Sequence, residues 1–221
     1  MARPVLVTGF RPYAGRGVNP AAEIATALEG RTIAGAAIVA RLLDVSFADI
    51  AASAEALLQE INPRAVISIG LWPGEPVIRI ERVGLNVADF EIADNLGYLA
   101  ANEPVIGNGT AARLATLPVR AIEEALLDAG IPARISSTAG TYLCNACLYS
   151  FLSAADAARE HVACGFIHVP YLPSQVAGLI RRTKEEAVLE VHQRADTASM
   201  ELATSIRAIE IAIAATVRER A

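Results

Sequence analysis

The sequence has little cysteine, few aromatic residues and no basic run. Of 221 residues, three are cysteine, at positions 144, 147 and 164. So small and odd a number excludes a disulfide-stapled scaffold and predicts reduced thiols in a cytoplasmic setting. Aromatics make up 5% of the chain, with Trp72 the single tryptophan, so the core is not built from large rings. The hydrophobic content of 53%, much of it alanine, suits helices packed closely on a sheet and excludes disorder. A net charge of −5 without a Lys/Arg cluster excludes nucleic acid as a partner, because phosphate backbones need a basic footprint. No apolar run reaches the roughly 18 residues of a membrane span, so no membrane association is expected. The start "MARPVLVTGF" passes through Pro4 straight into a strand-like run and does not read as a signal peptide. No repeat, low-complexity segment or linker divides the chain, and residues 1–221 are expected to form a single domain.

What is present alternates strand and helix. "PVLVTGF", "AAIVARLL", "AVISIGL", "PARISSTAG" and "CGFIHVPYL" read as strands. Helices are predicted after Asn19-Pro20, after Ser46 as a cap, from Pro118 to Gly130, and from about Cys144 to Arg159. "PVIRIERVGLNV" predicts a strand exposed on one side, with Ile78 and Ile80 facing one way and Arg79 and Glu81 the other. Residues 91–118 hold Asn-Leu-Gly, Asn-Glu-Pro and Gly-Asn-Gly and predict a loop-rich excursion with one short strand at most. From Thr183 to Arg220, apolar residues including Val188, Val191, Ile206 and Ile213 recur at helical spacing. They predict a long C-terminal helix whose stripe serves the core or a subunit contact. The fold class is α/β, with a mostly parallel sheet covered on both faces.

The chemistry gathers around "GTYLCNACLYS". The strand ending near Ser137, the helix from Cys144 and the strand ending near His168 read as one β-α-β unit with parallel strands. Cys144 then lies at a helix start, where unpaired N–H groups favour thiolate and can hold an oxyanion. His168 lies at the carboxyl end of a strand, the edge where α/β sheets bind ligands. An imidazole that takes and returns a proton needs an orienting group, and Glu81 is the one acid in its strand. Two other readings of the same residues stand beside this one. C-x-x-C at a helix start has the local form of a redox pair, and Cys144, Cys147, His161, Cys164 and His168 have spacings that would suit zinc. Cys147 and Cys164 also fit plain packing roles. The loop "GFRPYAGRG" lacks the residues of a P-loop or a dinucleotide site.

Four blocks resemble the pyroglutamyl peptidase type I (pyrrolidone-carboxylate peptidase) family: "VLVTGFRPYAGRGVNPA", "GLWPGEPVIRIERVGLNVADFEIADN", "TAGTYLCNACLYSFL" and "GFIHVPYLPSQ". They occur in the family's order across residues 5–175. The resemblance implies a thiol protease, a cysteine peptidase that removes N-terminal pyroglutamate (5-oxoproline) from peptides. It also implies an open α/β/α sandwich, no metal or other cofactor, a cytoplasmic location and a homotetramer. It places the catalytic set on Glu81, Cys144 and His168, and leaves Cys147 outside it. By the same resemblance Phe10 and Tyr13 hold the pyrrolidone ring, and Asn19 bonds its amide or positions groups that do. Leu71, Ile92 and Tyr142 close the pocket. The chain departs from the family at Tyr13, at Trp72 where a small residue is usual, and at Glu91 where arginine is common. Glu91 is expected to disturb the thiolate or to pair with Arg79 or Arg82.

Overall fold

Central strands buried on both faces read as unbroken apolar runs, and three of them set the frame. They are β1 (Val5–Phe10), β4 (Ala65–Leu71) and β9 (Ala163–Val169), every residue of which is buried. The computed structural model describes residues 3–158, 161–186 and 197–219. With β2 (Thr32–Ile33), β3 (Ala36–Leu43), β5 (Ile78–Glu81) and β8 (Ala133–Ser136) these strands form a seven-stranded sheet in the order β2-β3-β1-β4-β9-β5-β8. Strand pairing is parallel except at β2–β3 and β5–β9. A separate two-stranded sheet joins β6 (Val83–Leu85) to β7 (Ala112–Leu114).

Because side chains alternate along a strand, the sheet feeds two apolar layers. On one face Val5, Val7, Ile67, Ile69, Ile78 and Ile80 meet Ile24 of α1 (Pro20–Leu28), Ile122 of α3 (Val119–Asp128) and Ile209 of α6 (Leu202–Glu219). On the other, Leu6, Val66, Cys164 and Phe166 meet Ile50 of α2 (Phe47–Ile61) and Phe151 of α4 (Leu143–Ala157). The result is an α/β/α sandwich. Gly9 lets α1 lie against β1, since a Cβ there would fall 2.2 Å from the Ala21 carbonyl oxygen. The stripe on α6, through Ala208, Ile209, Ala212 and Ile213, is buried in the first layer, so it belongs to the core.

Several expectations require correction. The tail is not one helix: α5 (Pro173–Glu186) and α6 are separate, and Ser199 between them bridges to Tyr171. Val188, Val191, Arg159 and Arg220 lie outside the described residues. The stretch 78–85 is not one strand exposed on a side. It breaks at Arg82, and all four residues of β5 are buried, because the chain from Trp72 to Glu75 and from Ser136 to Gly140 covers the Arg79/Glu81 face. Ser46 occupies the α2 N-cap but bonds Asp49. The helix is capped by Asp94, whose Oδ2 accepts from the Phe47 N–H at 2.9 Å.

The β8-α4-β9 connection is also not a parallel β-α-β unit. β5 stands between the two strands, parallel to β8 and antiparallel to β9, so β8 and β9 run in opposite directions. The thiol and the imidazole still meet, because residues 137–142 fold back from the end of β8 toward the carboxyl ends of β4 and β9. Residues 91–118 form, as expected, an excursion with one short strand, β7. Asp94 organises its first part by also accepting N–H groups from Leu96 and Tyr98.

Candidate active site

Open α/β sheets bind ligands at the carboxyl ends of strands where the strand order reverses. Here β1 lies between β3 and β4, and a cavity of about 330 Å³ opens at that edge. Its lining comes from the ends of β1 (Phe10), β4 (Gly70, Leu71) and β9 (His168), and from the start of α4 (Leu143, Cys144). All six residues expected to form the pocket, Phe10, Tyr13, Asn19, Leu71, Ile92 and Tyr142, line it together with Cys144 and His168. Glu81 does not line it and stands behind His168.

Cys144 is the second residue of α4, whose N-cap, Tyr142, supplies no side-chain cap. The first N–H groups of the helix are therefore available to a ligand's oxygen. Asn145 locks this helix start to the chain before it. Its Oδ1 accepts the Leu85 N–H at 2.8 Å, and its Nδ2 donates to the Leu85 and Val87 carbonyls at 2.8 and 2.9 Å. The thiol lies over Gly70, which stands beside His168 in the β4–β9 register. A Cβ on Gly70 would fall 2.8 Å from Cys144 Sγ and 2.7 Å from the Phe166 ring. Glycine is thus required for the thiol to sit over β4 at the position beside His168. Gly70→Ala is expected to displace the Cys144 thiol and lower peptidase activity about 100-fold, the usual scale for a 1 Å misplacement. A parallel fall in Cys144 alkylation by iodoacetamide checks the cause.

His168 is 1% exposed and Glu81 0%, and Nδ1 of the ring lies 2.8 Å from Glu81 Oε1. A carboxylate only accepts, so Nδ1–H is the donor and Nε2 is left with its lone pair. Arg79 Nε also donates to Glu81 Oε1, at 3.1 Å, while Oε2 has no protein donor among the described residues. Both orienting bonds therefore converge on one oxygen. The Trp72 ring meets the His168 ring edge-on at 4.9 Å, and Phe166 packs against it at 4.8 Å.

Burial dominates the electrostatics of the site. It pushes the Cys144 thiol up, with smaller contributions in the same direction from Cys147 and Glu81, and only the backbone N–H acts the other way. The helix start acts in the expected direction, toward thiolate, but burial acts against it. Although Cys144 is only partly covered as a residue and lines the cavity, burial outweighs the helix end. Burial likewise lowers His168, opposed in part by the Glu81 hydrogen bond. Both shifts favour the uncharged forms, a thiol and a neutral imidazole.

The remaining cysteines sit apart from this chemistry. Cys147 is fully buried, bonds Ser68 Oγ at 3.6 Å, and is pushed up to about 12 by burial. Ser68 in turn accepts from Thr8 Oγ1 at 2.8 Å. Cys164 is buried in the layer under α4. Among the described residues no three His, Cys, Asp or Glu side chains converge as metal ligands.

Asn19 caps α1 through its Oδ1, which accepts the Ala21 N–H at 3.1 Å, while Nδ2 donates to the Arg11 carbonyl. It thereby fixes the loop that carries Tyr13. Tyr13 packs on Tyr142, with ring centroids 6.0 Å apart, under the Arg16 guanidinium. Glu91 lies exposed at the cavity mouth with Asp89 and pairs with neither Arg79 nor Arg82. Arg79 is instead bonded to Glu75, Glu81, Ser136 and Thr138. Sequence reasoning gave no role to Asn145. A buried amide inside the apolar pattern of α4 was the available signal.

An α/β/α sandwich that sets cysteine and histidine in one cavity, with glutamate behind the imidazole, has the build of a cysteine peptidase. The chain belongs to the pyroglutamyl peptidase family, whose sequence profile matches residues 3–219. It is 39% identical over 211 residues to pyrrolidone-carboxylate peptidase 2 of Photorhabdus laumondii subsp. laumondii, covering 96% of this chain and 90% of that protein. It is also 39% identical over 215 residues to the pyrrolidone-carboxylate peptidase of Klebsiella pneumoniae, with 97% and 93% covered. A solved structure of a mutant pyrrolidone carboxyl peptidase from the hyperthermophile Pyrococcus furiosus superposes with a TM-score of 0.90 at 36% identity, over 98% of this chain and 99% of that one.

Proposed function

We propose that this protein is a cysteine exopeptidase that removes pyroglutamate from the N-terminus of peptides. Cys144 is its nucleophile, His168 its general base and acid, and Glu81 its orienting carboxylate. The observation that carries the reading is the shared cavity: Cys144 and His168 stand in it with the six pocket residues, and the ring is bonded to Glu81 from behind. In the first half-reaction Sγ bonds to the carbonyl carbon of the pyroglutamyl group while His168 Nε2 takes the thiol proton. The oxyanion is held by N–H groups at the start of α4. Collapse breaks the C–N bond, His168 delivers its proton to the leaving amine, and a thioester remains on Cys144. Water then attacks the thioester carbon with His168 again taking the proton, the C–S bond breaks, His168 returns that proton to Cys144 Sγ, and free pyroglutamate leaves.

Substrate choice follows from solvation. Phe10, Asn19 and Leu71 are buried, so the cavity accepts a neutral lactam, whereas a charged α-amino group would lose its water without a partner. The acidic groups Asp89 and Glu91 are exposed at the mouth, away from that floor. The reading takes residues 1–221 as one peptidase domain, supported by the family match over 3–219. It needs no metal or other cofactor, and it includes the cytoplasmic location and homotetrameric assembly implied by the family resemblance.

Release of a fluorophore from a pyroglutamyl arylamide, but not from the matching prolyl arylamide, in reductant and chelator tests the reading. Absence of turnover by folded protein would sink it in favour of a ligand-binding role. The pH dependence is fixed by the directions above. His168 must be neutral to act as base, and burial lowers it, so the acid limb of kcat/KM should lie below the ordinary histidine value of 6.5. The raised thiol should put the alkaline limb above the ordinary cysteine value of 9.0. A plateau narrower than this window, or Cys144 alkylation that stays fast at acid pH, would point to a preformed thiolate–imidazolium pair instead.

A further inference from the structure

One buried cation ties together the groups that support this site, Glu81, Trp72 and the chain leading to Cys144, without lining the cavity. The guanidinium of Arg79, 7% exposed, donates to Glu81 Oε1 at 3.1 Å and to Glu75 Oε2 at 3.2 Å. One of its terminal nitrogens also bonds Ser136 Oγ at 2.7 Å and the Thr138 carbonyl at 2.8 Å. Its flat face lies 3.7 Å from the centre of the Trp72 ring, which itself packs edge-on against His168. Ser136 and Thr138 begin the reversal that carries the chain from β8 back to Cys144. A planar fork with five donors can serve four acceptors and a ring at once, and a lysine cannot.

We propose that Arg79 is a positioning residue for the reaction. It holds the Glu81 carboxylate against His168, ties down the loop that delivers Cys144, and clamps Trp72 as the wall behind the imidazole. This rests on the Cys144–His168–Glu81 assignment above and adds a part to it. The charged groups acting on His168 are Glu81 and Arg79 from β5 and Glu75 from the loop after β4, and the Cys144 thiol of α4 shares the cavity with the ring. Among these Arg79 favours the neutral ring and Glu81 the protonated one. Removing the cation therefore leaves the carboxylate unopposed and makes His168 easier to protonate.

The test compares Arg79→Met and Arg79→Lys with wild type, each corrected for folded fraction by thermal melting. The readouts are kcat, KM and the pH dependence of both kcat/KM and Cys144 alkylation by iodoacetamide. Arg79→Met should lose about 10–100-fold in kcat, the usual scale for a residue acting through another, with KM within about threefold. Its acid limb should move to higher pH. Arg79→Lys should keep the limb at its wild-type position, because the charge remains, and recover only part of kcat. Equal losses in both variants with an unmoved limb would mean that Arg79 is mere scaffold, and would overturn the proposal. If Arg79→Met does not fold, Arg79→Lys decides: wild-type kcat overturns the proposal, and a lowered kcat at unchanged KM and limb supports it. Should wild type fail to turn over, the peptidase reading falls by itself. The alkylation profiles would still report whether Arg79 governs the imidazole beside Cys144.

Discussion

Cys144→Ala should abolish release of the arylamine, with a loss on the order of 10⁶ in kcat, the scale seen when a catalytic nucleophile is deleted from a triad. Cys147→Ala should leave kcat within a few-fold of wild type. The two residues are three apart on α4, and the contrast comes from what surrounds each sulfur. The Cys144 thiol opens on the cavity, over a glycine and beside an imidazole with a free lone pair. The Cys147 thiol is buried, hydrogen-bonded to Ser68 and shifted upward by burial, with no base in reach of its proton among the groups acting on it. Its loss should appear as stability, roughly 1 kcal/mol in a urea titration, from a lost contact and a small void. Equal inactivation by both substitutions would restore the reading of C-x-x-C as a redox pair.

How much of this was legible in the sequence depends on whether local chemistry or chain topology decided the outcome. Asn19-Pro20 begins α1, Asn62 in a left-handed conformation ends α2, and the apolar runs of β1, β4 and β9 are the buried central strands. Each of these follows from capping, backbone freedom or burial within a few residues. Strand direction does not. The residues of β8 and β9 carry no local mark of running in opposite directions, because that depends on β5 entering between them from another part of the chain. The alternation of strand and helix predicts a parallel β8-α4-β9 unit that would bring thiol and imidazole together, and that unit does not form. In the molecule the 137–142 reversal brings them together.

Charge pairing shows the same division. The face shared by Arg79 and Glu81 could be read from alternation, and the two do bond. That this face is buried, under Trp72 and the chain around Thr138, required the third dimension. So did the capping of α2 by Asp94, which is far from Ser46 in sequence and accepts the Phe47 N–H while the Ser46 hydroxyl donates to Asp49. Polar residues at helix starts are readable from sequence. Which oxygen reaches the N–H is settled by packing.

Glu81→Gln should lower kcat about 10³-fold with little change in KM, inside the 10²–10⁴ that acid–base assistance contributes. The geometry makes this substitution a test of charge rather than of orientation. Both donors, His168 Nδ1–H and Arg79 Nε–H, converge on Oε1, so the amide can serve both with its carbonyl oxygen. Its NH₂ then takes the position of Oε2, where no protein donor would be opposed. The ring stays in place with Nε2 facing the thiol, but the negative charge that favours the imidazolium formed during attack is gone. Because Glu81 raises His168 and Arg79 lowers it, the two substitutions must move the acid limb in opposite directions. Glu81→Gln shifts it to lower pH, and Arg79→Met shifts it to higher pH. Iodoacetamide alkylation of Cys144 across pH 4–9 reads both shifts without requiring turnover. Movement of both limbs in the same direction would show that the carboxylate and the guanidinium act on the fold of β5 rather than on the charge of the imidazole.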